Sequence, residues 1–159
     1  MKCDASTQKS APTSSAIRRN ASKSIVREYA ERTVRDARAL ASGLADEGLR
    51  VVSGGTDSHL ALVDVRPIGV DGKTAEALCD EVGITLNKNQ IPYDPNPPST
   101  PSGIRVGTAA CSTLGMDEPE MREIAGIIGD VLRHPDDAGT KDKARDQVRD
   151  LMQRFPLYP

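Results

Sequence analysis

Leu49-Arg50-Val51-Val52-Ser53-Gly54-Gly55-Thr56-Asp57-Ser58-His59-Leu60-Ala61-Leu62-Val63-Asp64-Val65 is the stretch that sets the architecture. Leu49 to Ser53 reads as a short strand. Gly54-Gly55-Thr56-Asp57 is turn chemistry. Leu60 to Val65 is β-branched and aliphatic and reads as a second strand, hairpin-paired with the first. A hairpin gives an antiparallel sheet, whereas parallel strands need a long crossover.

Upstream, apolar residues fall at Ile25/Val26, Tyr29/Ala30, Val34, Ala37, Leu40/Ala41 and Leu44. Steps of three and four predict an amphipathic helix over 23–47, with Gly48 as its terminator. Downstream, residues 67–72 read as a loop and 73–82 as a helix ended by Gly83, with Ala75, Leu78, Cys79 and Val82 on one side. Ile84 to Leu86 reads as a short strand entering a loop over 87–102. That loop holds Pro92, Pro95, Pro97, Pro98 and Pro101, so it can be neither a helix nor a central strand. Ile104 to Gly107 resumes as a strand. Asp117 and Glu120 have capping-box spacing, with Pro119 in the first turn of a helix whose buried face runs from Met121 to Leu132. A polar linker over 136–140 precedes a last helix over 141–154 that uses Ala144, Val148, Leu151 and Met152. The order α-β-β-α-β-loop-β-α-α predicts an α+β fold. A small, mainly antiparallel sheet carries helices on one face, and its other face needs a cover.

The chain has 159 residues, which suits one domain of ordinary size. Aromatic residues make up 3% and there is no Trp, so the core is built from Leu, Ile, Val and Ala. It is expected to be thin and to lean on a partner surface. The net charge is −2, with acids and bases interleaved on the predicted helices. That pattern is a solvated surface and excludes a polyanion footprint, hence nucleic acid. No apolar run approaches the roughly eighteen residues a membrane span needs, so no membrane partner is expected. Cys3, Cys79 and Cys111 are odd in number and far apart, which argues against a disulfide framework or a metal site. Free thiols fit a reducing compartment, and the chain is expected in the cytoplasm. Residues 1–24 are rich in Ser, Thr and Ala, with Lys2, Lys9, Arg18, Arg19 and Lys23 against Asp4. A transit peptide has such a composition; the reading adopted is a disordered tail.

Three residues stand out chemically. Arg105 lies between Gly103 and Gly107, so a ligand can approach a permanently charged guanidinium that forms two parallel bonds to a carboxylate. The structural alternative is an arginine on an exposed strand, paired to a surface acid. Asn89 offers an amide suited to the polar edge of a heterocycle, or simply stabilises a turn. His59 is a general base or, on the structural reading, a hydrogen-bonded residue at a strand start. Cys79 reads as core, and His134 has no partner at ligand or triad spacing.

Asn87-Lys88-Asn89, Pro92-Tyr93-Asp94-Pro95 and Ser102-Gly103-Ile104-Arg105-Val106-Gly107-Thr108 together resemble serine hydroxymethyltransferase. Ser53-Gly54-Gly55-Thr56-Asp57-Ser58-His59 is similar to a further motif of that family. The resemblance covers residues 25–159 and implies the small C-terminal domain of a fold-type I pyridoxal-phosphate transferase. It implies that Arg105 binds the carboxylate of serine or glycine, that Asn89 contacts the pterin of tetrahydrofolate, and that His59, Ser102 and Gly103 support the site. The chain departs from the family at Ser99-Thr100-Pro101, where an aromatic or large apolar residue and Val-Thr are usual, and at Ala109, where proline is usual.

The family interconverts serine plus tetrahydrofolate with glycine plus methylenetetrahydrofolate, using pyridoxal phosphate as electron sink. The resemblance implies that pyridoxal phosphate and tetrahydrofolate serve the complete enzyme, with neither expected to bind tightly to this chain alone. The partners implied are a cofactor-binding large domain, in cis or in trans, and further copies in a homo-oligomer. The family's lysine motif is absent, so no catalytic residue is assigned to this chain and no activity is expected of it alone. Three readings follow: the C-terminal part of a hydroxymethyltransferase, a stand-alone binding or assembly module, or one half of a split enzyme. A part of an enzyme should expose the apolar surface that met its large domain, and an adapted module should be polar there.

Overall fold

The computed structural model describes residues 14–157, and their side chains from Lys23 onward. Helix α1 spans Ser14–Asp46. It therefore takes in residues 14–24, which composition assigned to the tail; residues 1–13 lie outside the described residues. No proline interrupts Ser14 to Asp46, and Ala, Arg and Lys in this stretch all favour helix. The helix ends where expected. Gly48 adopts φ 89°, and the Leu49 N–H donates back to the Leu44 carbonyl at 3.1 Å, a turn that only the left-handed backbone allows at low cost.

The hairpin forms as read, with shorter strands. β1 is Arg50–Val51 and β2 is Leu60–Asp64, paired antiparallel with Arg50 opposite Asp64. A 3-10 turn at Val52–Gly54 shortens β1, and Ser53 within it takes φ 67°. Helix α2, Gly72–Glu81, starts on the Asp71 carboxylate, which accepts the Thr74 N–H at 2.8 Å.

The next strand is displaced from its expected place. β3 is Asn87–Asn89, and Ile84 to Leu86 is not paired. The Ile84 N–H turns back to the Cys79 carbonyl at 2.9 Å to close α2. The pairing of β3 stops at Arg105, although its partner runs on to Gly107 alongside β2. An apolar cavity of about 300 Å³ lies between residues 84–86 and 106–111.

β4, Gly103–Gly107, pairs antiparallel with both β2 and β3, giving the sheet order β1-β2-β4-β3. A short helix α3, Ala109–Thr113, follows and was not foreseen. Five residues leave too little periodicity to read. Helix α4 is Glu118–Arg133 and carries the expected capping box between Asp117 and Glu120. Helix α5, Ala138–Arg154, starts inside the expected linker. Asp137 caps it by accepting from Gly139 and Thr140, so the polar residues of that stretch are a helix start.

The fold is thus α+β, with a four-stranded antiparallel sheet. Ala61, Val63, Ile104 and Val106 point into a core shared with Leu44, Met121, Ile128 and Leu132 of α1 and α4. The two helices approach closely at Gly43, where an added Cβ would lie 2.7 Å from that of Ala125. Cys79 is buried in this core, and burial pushes its thiol up to about 12, so it is unreactive near neutral pH.

Candidate functional site

Strand alternation places Leu60, Leu62 and Asp64 of β2, and Gly103, Arg105 and Gly107 of β4, on the face away from the helices. The register adds their cross-strand neighbours. Arg105 stands opposite Leu62 on one side and Asn87 on the other; Gly103 stands opposite Asp64 and Asn89. Arg105 and both asparagines of the Asn87-Lys88-Asn89 run therefore share one face. Lys88, opposite Ile104, points the other way and donates to Glu76 of α2 at 2.7 Å.

Arg105 is exposed and, among the described residues, makes no ion pair and no hydrogen bond. Every other arginine with a described side chain pairs with a carboxylate, except Arg32, which donates to the Ser112 carbonyl at 2.6 Å. The surface-acid alternative for Arg105 is therefore not what the geometry shows. Asn89 donates its amide to the Gln90 carbonyl at 2.7 Å, and its side-chain oxygen accepts nothing among the described residues.

Asp64 is buried beside this site, yet it does not neutralise Arg105. Its Oδ1 accepts the Arg66 N–H and Nε, each at 3.0 Å. Its Oδ2 accepts Arg50 Nε at 3.0 Å, Arg50 Nη2 at 2.8 Å and Arg66 Nη2 at 2.8 Å. Burial pushes its carboxyl up, but the bonds from Arg66 and Arg50 outweigh that and hold it down to about 2.

The proline-rich loop is ordered around Asp94. Its Oδ2 accepts the Ile91 N–H at 3.2 Å and the Ser102 N–H at 2.9 Å; its Oδ1 accepts the Asn96 N–H at 2.9 Å and the Ser102 hydroxyl at 2.6 Å. Desolvation pushes this carboxyl up, and the bonds from Ser102, Asn96 and Ile91 outweigh it, leaving it well below the usual carboxylate range. Tyr93 turns the chain with φ 55°, and its side chain is fully exposed. Ile91 folds back over Gly103, where an added Cβ would meet Ile91 Cγ2 at 2.6 Å and the Val63 carbonyl oxygen at 2.8 Å. Gly103 is therefore fixed by close approach on the same face as Arg105. Asp94→Asn is expected to speed amide exchange at Ile91, Asn96 and Ser102 while leaving the amides of α4 unchanged. Hydrogen exchange followed by NMR measures this, and unchanged loop amides would show that the carboxylate charge does not hold the loop.

Ser102 is buried as the pivot between loop and sheet; its carbonyl accepts the Val65 N–H at 3.1 Å. His59 is exposed at the far end of β2, beside Leu60, which opposes Gly107. Its backbone carbonyl accepts the Thr108 N–H, and it lines a small cleft with Tyr29, Thr33, Val34 and Ala109. The register thus gathers Arg105, Asn89 and Gly103 and leaves His59 three residues further along, level with Thr108. Asp64 and Asp94 were not assigned roles from sequence. Asp64 carried a signal, an acid inside an aliphatic strand with arginines at positions 50 and 66. Asp94 carried one in its place between two prolines.

Among the described residues no group of His, Cys, Asp and Glu could hold a metal ion, and no helix is long and apolar enough to cross a membrane. A family model described as serine hydroxymethyltransferase matches residues 8–128 of the chain. The chain is 50% identical over 133 residues to the serine hydroxymethyltransferase of Koribacter versatilis, an alignment covering 84% of this chain and 31% of that protein. The chain thus spans about a third of the length of the curated relative it matches.

Proposed function

The chain belongs to the serine hydroxymethyltransferase family, and on that premise we propose that it forms the carboxylate-binding small domain of such an enzyme. In this reading Arg105 binds the carboxylate of serine or glycine, and Asn89 meets the pterin edge of tetrahydrofolate. The observation that carries it is the Arg105 guanidinium, unpaired among the described residues, on the open face of the sheet, in line with Asn87 and beside Asn89. A guanidinium there makes two charge-assisted bonds to a carboxylate and so fixes the position of the substrate's α-carbon. Asp64 and Asp94 hold the surrounding strand and loop.

Pyridoxal phosphate needs a lysine that reaches its ring and donors for its phosphate. Lys88 and Lys141 spend their ammonium groups on Glu76 and Glu81 at 2.7 Å each. Lys23, Lys73 and Lys143 belong to α1, α2 and α5, and none of these five lysines lies on the open face. These residues do not make a site for the cofactor by themselves. It would come with a cofactor-binding domain, which supplies the electron sink. This chain's share is to bind and orient.

Completion by such a domain is supported by the exposed apolar surface on α1. Ile25 and Val26 are 66% and 63% exposed, next to the cleft beside Tyr29. An adapted stand-alone module would be polar there. The test is to mix the purified chain with a separately produced large domain of a family member and follow conversion of serine to glycine with tetrahydrofolate. Turnover that needs both proteins is expected. A stable complex that turns over no faster than the large domain alone would contradict the reading.

A further inference from the structure

Asp64 is the acidic residue that the described register places on the same face as Arg105. It stands opposite Gly103, two residues along β4 from Arg105. Such diagonal positions lie about 7–8 Å apart, within reach of an arginine side chain. Left to itself, this carboxylate would be an intramolecular competitor for any ligand of Arg105. It is instead occupied from the other side. Arg50, its direct neighbour on β1, and Arg66, two residues downstream, direct five N–H bonds to its two oxygens. The Asp64 side chain is 2% exposed, whereas those of Arg50 and Arg66 are 55% and 43% exposed. The arginines are therefore closing a buried carboxylate from the solvent side, and no acceptor on it is left over.

We propose that Arg66, together with Arg50, is a positioning element for the carboxylate site: by saturating Asp64 it keeps Arg105 unpaired and open to a ligand's carboxylate. The inference rests on the reading of Arg105 as a carboxylate binder and adds a residue that touches neither substrate nor cofactor. It also explains why Arg105 has no partner among the described residues on a face that contains an acid. Arg66 holds both oxygens, so its loss frees one side of Asp64, and Arg105, unengaged among the described residues, is positioned to take it.

The test uses the full chain labelled with 15N-arginine, with acetate as the probe carboxylate. In the wild type, the Arg105 Nε–Hε signal should exchange freely with water and shift on addition of acetate. In Arg66→Ala, a half-exposed position where the fold is expected to persist, that exchange should slow roughly three- to fivefold and the acetate response should weaken by the same factor. Adding Asp64→Asn to Arg66→Ala should restore both. A purely structural role for Arg66 predicts the opposite, because the second substitution removes a further part of the cluster. An Arg105 signal in Arg66→Ala that matches the wild type, or one that Asp64→Asn does not restore, overturns the inference and leaves the carboxylate reading intact. No acetate response at Arg105 in the wild type overturns the carboxylate reading, and the guarding role with it.

Discussion

Arg105→Ala is expected to lower kcat/KM for serine by at least about 150-fold in the enzyme completed with its cofactor domain, with no change in the stability of the chain. Each charge-assisted hydrogen bond contributes about 1.5–3 kcal/mol, and a guanidinium makes two to one carboxylate. Truncation leaves the substrate's carboxylate facing Leu62 and Asn87. The stability half follows from exposure: Arg105 has no partner among the described residues, so its removal should stay within about 0.5 kcal/mol. Arg105→Lys should recover only part of the loss, since an ammonium cannot make the two parallel bonds. Steady-state kinetics and thermal melts of the same preparations measure both halves. A variant that melts early would move Arg105 from binding to structure.

Asp64→Ala is expected to have the reverse character, with a cost of about 3 kcal/mol and a fall in melting temperature of roughly 8 °C. Arg50 and Arg66 are half-exposed and can be rehydrated, which keeps the loss at the low end for a broken buried pair. The pH dependence fixes the sign. The Asp64 carboxyl titrates at about 2 in the fold and near the ordinary 3.9 in the unfolded chain. Its contribution, about 2 kcal/mol, is therefore fully present above the ordinary value. It is lost as pH falls from about 5 to below 2. Wild type and variant should converge in stability over that window. Denaturant melts at pH 7 and pH 2.5 test this, and a stability gap that stays constant between the two would rule out the ionised carboxylate as its cause.

The sheet was legible because its signals are local. The glycine turn at residues 54–57 sits between two aliphatic runs, and both strands formed there. Capping residues fixed the start of α4 in the same way, at Asp117. The third strand was misplaced by three residues because its position depends on a partner. Ile84 to Leu86 are better strand formers than Asn87 to Asn89, but an apolar cavity separates them from residues 106–111, and pairing with β4 is confined to Asn87–Asn89. Arg105 and Asn89 were legible as candidates from residue type and motif; their sharing of one face follows from that register and could not be read without it. The roles of Asp64 and Asp94 depend on contacts across 2 to 14 residues of chain; an acid in an aliphatic strand and an acid between prolines mark the positions but not these partners.

Glycine binding, measured by equilibrium dialysis on the chain mixed with a family cofactor domain, tests the central claim most directly. Tight binding is predicted only when the mixture contains the wild-type chain. The cofactor domain alone, or with the Arg105→Ala chain, should bind glycine at least about 150-fold more weakly, matching two lost charge-assisted bonds. Equal affinity for glycine in all three samples, with the complex shown to form, would contradict the assignment of the carboxylate site to this chain.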